Sequence, residues 1–135
     1  MLTTAKANEF ARNWIDAWNA RDLGCILTHY SDDIVFSSPF VQEIAGGNNG
    51  SVRGRDELRK YFEVALEKFP SLHFDLRAVM LGMNTVTLLY ESVRGLLAGE
   101  TMVLNAAGQI TRVWVQYDRI EDVPHASCRW AKLML

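Results

Sequence analysis

The apolar pattern of this chain changes period at Pro70. Before that proline, apolar residues recur mostly at helical spacing, and beyond it they alternate in one run after another. A chain divided in this way gathers its helices on one face of a sheet made from consecutive strands, which is an α+β arrangement. With 135 residues, a single domain over 1–135 with one core is expected.

From about Ala5 to Ala20, Phe10, Trp14 and Trp18 stand four apart, with Ala7, Ala11 and Ile15 beside them, so one broad helix face is apolar. Asp22 suits the N-cap of a short second helix, with Leu23, Ile26, Leu27 and Tyr30 facing inward and Ser31-Asp32-Asp33 breaking it. Ile34 to Ser38 alternates as a strand that Pro39 ends. Residues 45–54 are rich in Gly and Asn and read as a mobile surface loop at a pocket's mouth. Leu58, Tyr61, Phe62, Ala65, Leu66 and Phe69 form the buried stripe of a third helix from Arg55 to Pro70. Leu72–Leu81 and Thr85–Arg94 then read as strands, and Gly99–Asn105 with Gln109–Asp118 as a hairpin. The tail Pro124–Leu135 is left without assignment.

Hydrophobic residues at 49% and charged residues at 22% exclude a disordered chain, and a net charge of −2 gives no reason to expect nucleic acid. No apolar run is long enough to cross a membrane, and Met1 to Lys6 lacks the apolar stretch of a signal peptide, so a cytoplasmic location is expected. Cys25 reads as a packed thiol in an apolar helix, and Cys128 has no C-x-x-C partner. His29, His73 and His125 lie far apart, so no metal site is called for, and no organic cofactor is expected, since acid–base chemistry needs only side chains and water.

Several segments carry a family likeness. The run from Trp14 to Pro39 is one. Arg53-Gly54-Arg55-Asp56-Glu57-Leu58 with Tyr61-Phe62 is another, followed by Phe69-Pro70-Ser71-Leu72-His73-Phe74 and the hairpin from Glu100 to Ile110. Together, over about residues 8–118, they resemble the nuclear transport factor two-like superfamily. The nearest subgroup is similar to the SnoaL-like proteins, related to polyketide cyclases and ketosteroid isomerases. The resemblance implies a cystatin-like α+β barrel: a cone-shaped, curved antiparallel sheet packed against three N-terminal helices and enclosing an apolar pocket. It also implies pairing into homodimers.

Fold alone does not choose among the activities that this superfamily hosts. Its isomerases use an Asp before a Pro as base, with a Tyr on the first helix and a protonated Asp on a late strand holding the oxyanion. By register those positions here are Ser38, Trp14 and Glu100. Ser38 has no useful basicity and Trp14 offers a single indole N–H, so a standard steroid isomerase is rejected.

Glu100 shares a strand face with Met102 and Leu104, which points its carboxylate inward as a candidate proton carrier with a raised pKa. The bland alternative is a strand-end carboxylate open to water or paired with Arg94. Ser38 could hydrogen-bond a ligand, or simply cap the strand end. Trp14, Trp18, Phe36, Tyr61 and Tyr90 could line an aromatic cavity or serve only as core, with Met102 and Tyr117 beside them. His29 reads as a surface or capping residue, and Asp32-Asp33 as a turn. His73, Asp75 and Arg77 alternate on a solvated strand face.

These residues suggest an enzyme performing acid–base chemistry (isomerase, cyclase or hydrolase type) on a small apolar molecule that is cyclic or bears a carbonyl. The alternatives are a non-catalytic ligand-binding module and an accessory dimeric protein acting through its sheet surface. Arg112, Trp114 and Gln116 alternate with Val113, Val115 and Tyr117, so Trp114 should point outward onto a dimer face.

Overall fold

Helix α1, Thr4–Asn19, begins where Thr3 accepts a hydrogen bond from the Lys6 N–H at 3.2 Å. It buries Ala7, Ala11, Trp14, Ile15 and Trp18 along one face, as their spacing requires. Asp22 caps the short helix α2, Leu23–Leu27, by accepting from the Cys25 N–H at 3.1 Å. These hydrogen bonds lower the Asp22 pKa. The computed structural model describes residues 2–45 and 49–119. The tail from Pro124, with His125 and Cys128, lies outside the described residues, as do Gly46, Gly47 and Asn48.

Strand β1 is Tyr30–Ser37, helix α3 Pro39–Ala45, strand β2 Ser51–Arg53 and helix α4 Arg55–Lys68. Four strands follow: β3 Asp75–Leu81, β4 Thr85–Glu91, β5 Leu97–Leu104 and β6 Ile110–Tyr117. They form one six-stranded sheet in the order β2-β1-β6-β5-β4-β3. Helix α1 packs on β3 and α4 on β1.

The α+β class is as the sequence predicts, but four features differ. The sheet is mixed, because β1 lies parallel to β6 and all its other pairs are antiparallel. The sheet is also open: β2 and β3 are its two edges, so it does not close into a barrel. There are four α-helices among the described residues, since Pro39 both ends β1 and starts α3. Proline suits a first helical position because its missing N–H would have no partner there, and the Ser38 side chain accepts from the Phe40 N–H at 3.2 Å. Finally, the loop expected at 45–54 contains strand β2, paired antiparallel with β1 through Phe36 and Val52.

Local boundaries shift for identifiable reasons. Tyr30 and Ser31-Asp32-Asp33 belong to β1 and not to the second helix or its break. Cys25 is exposed and not packed, because in so short a helix Ile26 and Leu27 take the inward positions. Strand β3 starts at Asp75 and not at Leu72, because the Asn19 side chain occupies both backbone groups of Phe74. The Phe74 N–H donates to Asn19 Oδ1 at 2.7 Å, and Asn19 Nδ2 donates to the Phe74 carbonyl at 2.9 Å. Nearby, Arg21 donates to the carbonyls of Leu66 and Phe69 at the end of α4, where a cation complements the helix dipole.

The Asn19 clamp fixes the angle at which α1 meets the sheet. It also seats Phe74 against Trp14, with ring centroids 5.8 Å apart and planes 16° from parallel. Asn19→Ala leaves a part-buried N–H and carbonyl unpaired, and should lower stability by roughly 1–3 kcal/mol. Urea unfolding of the parent and the variant checks this; an unchanged midpoint would show that water replaces the clamp.

Candidate functional site

The site rests on the register of three strands. On β5, Ala98, Glu100 and Met102 point to the buried face. Ala98 is paired with Tyr90 of β4 on one side and with Tyr117 of β6 on the other. Glu100, two residues along, is therefore flanked diagonally by both tyrosines, a distance that long side chains can bridge. Tyr90 does so, its hydroxyl donating to Glu100 Oε1 at 2.6 Å. The other carboxylate oxygen accepts no hydrogen bond among the described residues.

Glu100 is 3% exposed and lines a cavity of about 60 Å³. Burial raises its pKa from 4.5 to about 7, although the hydrogen bond from Tyr90 favours the charged form. The carboxylate is in turn felt by its neighbours. Burial first, and then the Glu100 charge, push the Tyr30 and Tyr90 pKa values up, so both phenols keep their protons at neutral pH. Tyr117 is raised by the same two causes, with the Ser38 and Ser92 side chains acting the other way.

Of the residues expected to line a pocket, Trp14, Trp18, Phe36, Ser38, Tyr61 and Tyr90 all line this cavity. Tyr117 does so as well. Met102 does not: it is fully buried between Val86 and Val113, two residues deeper along the strand than Glu100. The indole N–H of Trp14, weighed above as a ligand donor, is taken by the Tyr30 hydroxyl at 3.1 Å. Ser38 keeps its capping contact with Phe40 while its side chain faces the cavity. Arg94 does not neutralise Glu100; its guanidinium lies instead over the Phe40 and Phe69 rings.

Sequence reasoning missed Tyr30, Phe40, Phe74 and Ser92 as members of this neighbourhood. Tyr30 was hidden because it reads as the end of a helix, and Phe40 because no helix is evident after Pro39. The pairing of Tyr90 with Glu100 follows from strand register, which depends on the unusual turn Val93–Gly95 between β4 and β5. Elsewhere, His29 is half-buried edge-on to Phe10, and His73, Asp75 and Arg77 are exposed, with Arg77 pairing Glu91 at 2.6 Å. Among the described residues no three His, Cys, Asp or Glu side chains gather at metal-binding distance.

A cavity of about 60 Å³ holds a few waters, whereas ligand pockets usually measure roughly 300–1,000 Å³. The lining is mainly aromatic, and Glu100 with Ser38 and Ser92 supplies acid and hydroxyl groups. Such a group of residues can hold a proton near neutrality, give it up and take it back.

The stability consequence has a definite sign. Below about pH 4.5 Glu100 is protonated in both folded and unfolded chains and is neutral to stability. Between that value and about 7 the unfolded chain ionises while the folded one does not, so stability falls with rising pH. Above about 7 a burial penalty on the order of 3 kcal/mol is fully present. Glu100→Gln keeps the acceptor for Tyr90 and removes the titration. Its melting temperature relative to the parent should therefore be higher at pH 8 than at pH 5. A variant that is clearly less stable than the parent at pH 8 would mean that the charged carboxylate is held by favourable partners.

The sequence profile of the SnoaL-like domain matches residues 11–122. Among solved structures, a SnoaL-like protein of unknown function from Burkholderia thailandensis is 38% identical with a TM-score of 0.81, over 87% of this chain and 98% of that one. A cystatin-like fold protein of unknown function from Methylobium petroleophilum is 17% identical with a TM-score of 0.67, over 87% of this chain and 78% of that one. A candidate polyketide cyclase from Sinorhizobium meliloti is 11% identical with a TM-score of 0.66, over 80% of this chain and 94% of that one. No curated protein matches the chain.

Proposed function

This chain belongs to the family of SnoaL-like domains, and on that premise we propose that it is an enzyme moving a proton on a small cyclic or carbonyl-bearing molecule. Glu100 is the proton carrier in this reading. The observation that carries it is a carboxyl group sealed beneath Tyr90, beside a cavity, with a pKa of about 7. At neutral pH such a group is present in both protonation states, so it can take a proton from a carbon beside a carbonyl and return it elsewhere. Tyr90 would keep the carboxylate oriented, and the Tyr117, Ser38 and Ser92 hydroxyls would meet the substrate's oxygen. The resemblance of the fold to a candidate polyketide cyclase fits a substrate built of rings and carbonyls.

The small cavity supports a second reading. If no ligand enters, the chain acts as an accessory protein through its sheet. Proton exchange separates the two. Incubated with 2-tetralone in deuterated buffer, the parent should accelerate exchange of the protons beside the carbonyl, read by proton NMR, and Glu100→Gln should lose roughly 10²–10⁴-fold. Equal exchange in both proteins would remove Glu100 from the chemistry. Binding without exchange would favour a carrier over an enzyme.

Either reading is compatible with a homodimer formed on the outer sheet face. Trp114 is 41% exposed there, with the Arg112 guanidinium 4.6 Å over its ring and Gln116 beside it. Light scattering at micromolar concentration should give a dimer that Trp114→Glu dissociates; a monomeric parent would contradict the pairing.

A further inference from the structure

The wall of the Glu100 cavity continues outward into a second space. Phe69, Leu72, Ser92 and Val93 line both that cavity and a neighbouring surface groove of about 270 Å³. Lys68, His73 and Arg94 also line the groove, and no Asp or Glu does so among the described residues. Lys68 is already paired with Glu43 of α3. Arg94 is exposed and forms no ion pair and no hydrogen bond among the described residues. Its guanidinium carbon lies 5.4 Å from the centroid of Phe69 and 5.9 Å from that of Phe40, and both rings line the Glu100 cavity.

The backbone holds Arg94 there in an uncommon conformation. Its φ of 59° and ψ of 23° fall in the left-handed region that residues other than glycine seldom adopt. The turn is pinned by Ser92 N–H donating to the Leu96 carbonyl at 2.7 Å and by Arg119 donating to the Gly95 carbonyl at 2.8 Å. A guanidinium resting on aromatic rings retains its N–H donors, which match the two oxygens of a carboxylate in one plane. A single fork can pair both oxygens of a carboxylate, whereas a phosphate site usually gathers several donors around the anion, backbone N–H groups among them.

Resting on the reading of the cavity as a ligand site, we infer that the substrate is an organic anion, a ring seated in the cavity once its rim side chains have moved to widen it and a carboxylate held by Arg94 in the adjoining groove. The cavity's rim then sorts ligands by charge before the ring reaches Glu100.

The test compares 1-naphthoate with its neutral amide, 1-naphthamide, titrated at low salt and followed by backbone amide NMR shifts. The parent should bind the naphthoate roughly three- to tenfold more tightly than the amide, the range for a part-exposed charge-assisted contact. Arg94→Gln removes the charge and the planar fork while meeting the same backbone requirement; it should remove that preference, bringing the naphthoate's affinity down to the amide's. Arg94→Lys should restore part of it. Equal affinities in the parent, or a preference that survives in Arg94→Gln, would overturn the carboxylate site while leaving the cavity's proton chemistry intact. Failure of both probes to shift residues around the cavity would overturn the ligand reading together with this one.

Discussion

The hydrogen bond from Tyr90 to Glu100 lies where every layer of this fold converges. It joins two adjacent strands diagonally, beneath the aromatic face that α1 presents to the sheet. It also decides a balance of two opposed effects. Burial pushes the carboxyl pKa up, and the phenol donor pulls it down, leaving it at about 7. Without the tyrosine the carboxyl pKa would lie higher still; without the burial it would be an ordinary surface carboxylate. The surrounding structure can be understood as what keeps both effects in force. Trp14 stacks on Phe74, the Asn19 clamp fixes Phe74, and Ala98 is small enough to let Tyr90 and Tyr117 approach from either side.

Much of this was legible from residue order. The spacing of Phe10, Trp14 and Trp18 and the alternation around Glu100 and Met102 depend on local periodicity, and both places behaved accordingly. Partnership between distant segments was harder to read. That β1 runs parallel to β6 is a property of the path taken by the intervening helices, and no residue in either strand announces it. Helix α3 was hidden by Pro39, which ends a strand and opens a helix with the same ring. Phe74 alternates correctly for a strand, yet Asn19, 55 residues earlier, claims its backbone. Met102 shows a limit of a different kind: period two assigns a face but not a depth, and two residues separate the cavity from the sealed core.

The functional reading follows from where polar groups remain among so many rings. Protein interiors seldom retain an ionisable group without a strong partner, because ionising it there is costly. Here the partner is a neutral phenol, which orients the acid without fixing its charge. Ser38 and Ser92 add hydroxyls to the same wall, and Arg94 stands at its rim. At about 60 Å³ the cavity is smaller than a ring-bearing ligand needs, so this picture requires the aromatic side chains at the rim to rearrange on binding. A purely structural role for the sheet would leave the cost of a buried glutamate without a return.

The central claim is that Glu100 changes charge near neutrality inside the folded protein. Carbon-13 NMR of the glutamate side-chain carboxyl carbon, with the signal assigned by Glu100→Gln, follows that ionisation directly as pH is varied. The expected titration midpoint is about 7, well separated from those of exposed glutamates near 4.3. A midpoint in the ordinary glutamate range would contradict the account, because the carboxylate would then be stabilised as an ion and poorly suited to carrying a proton.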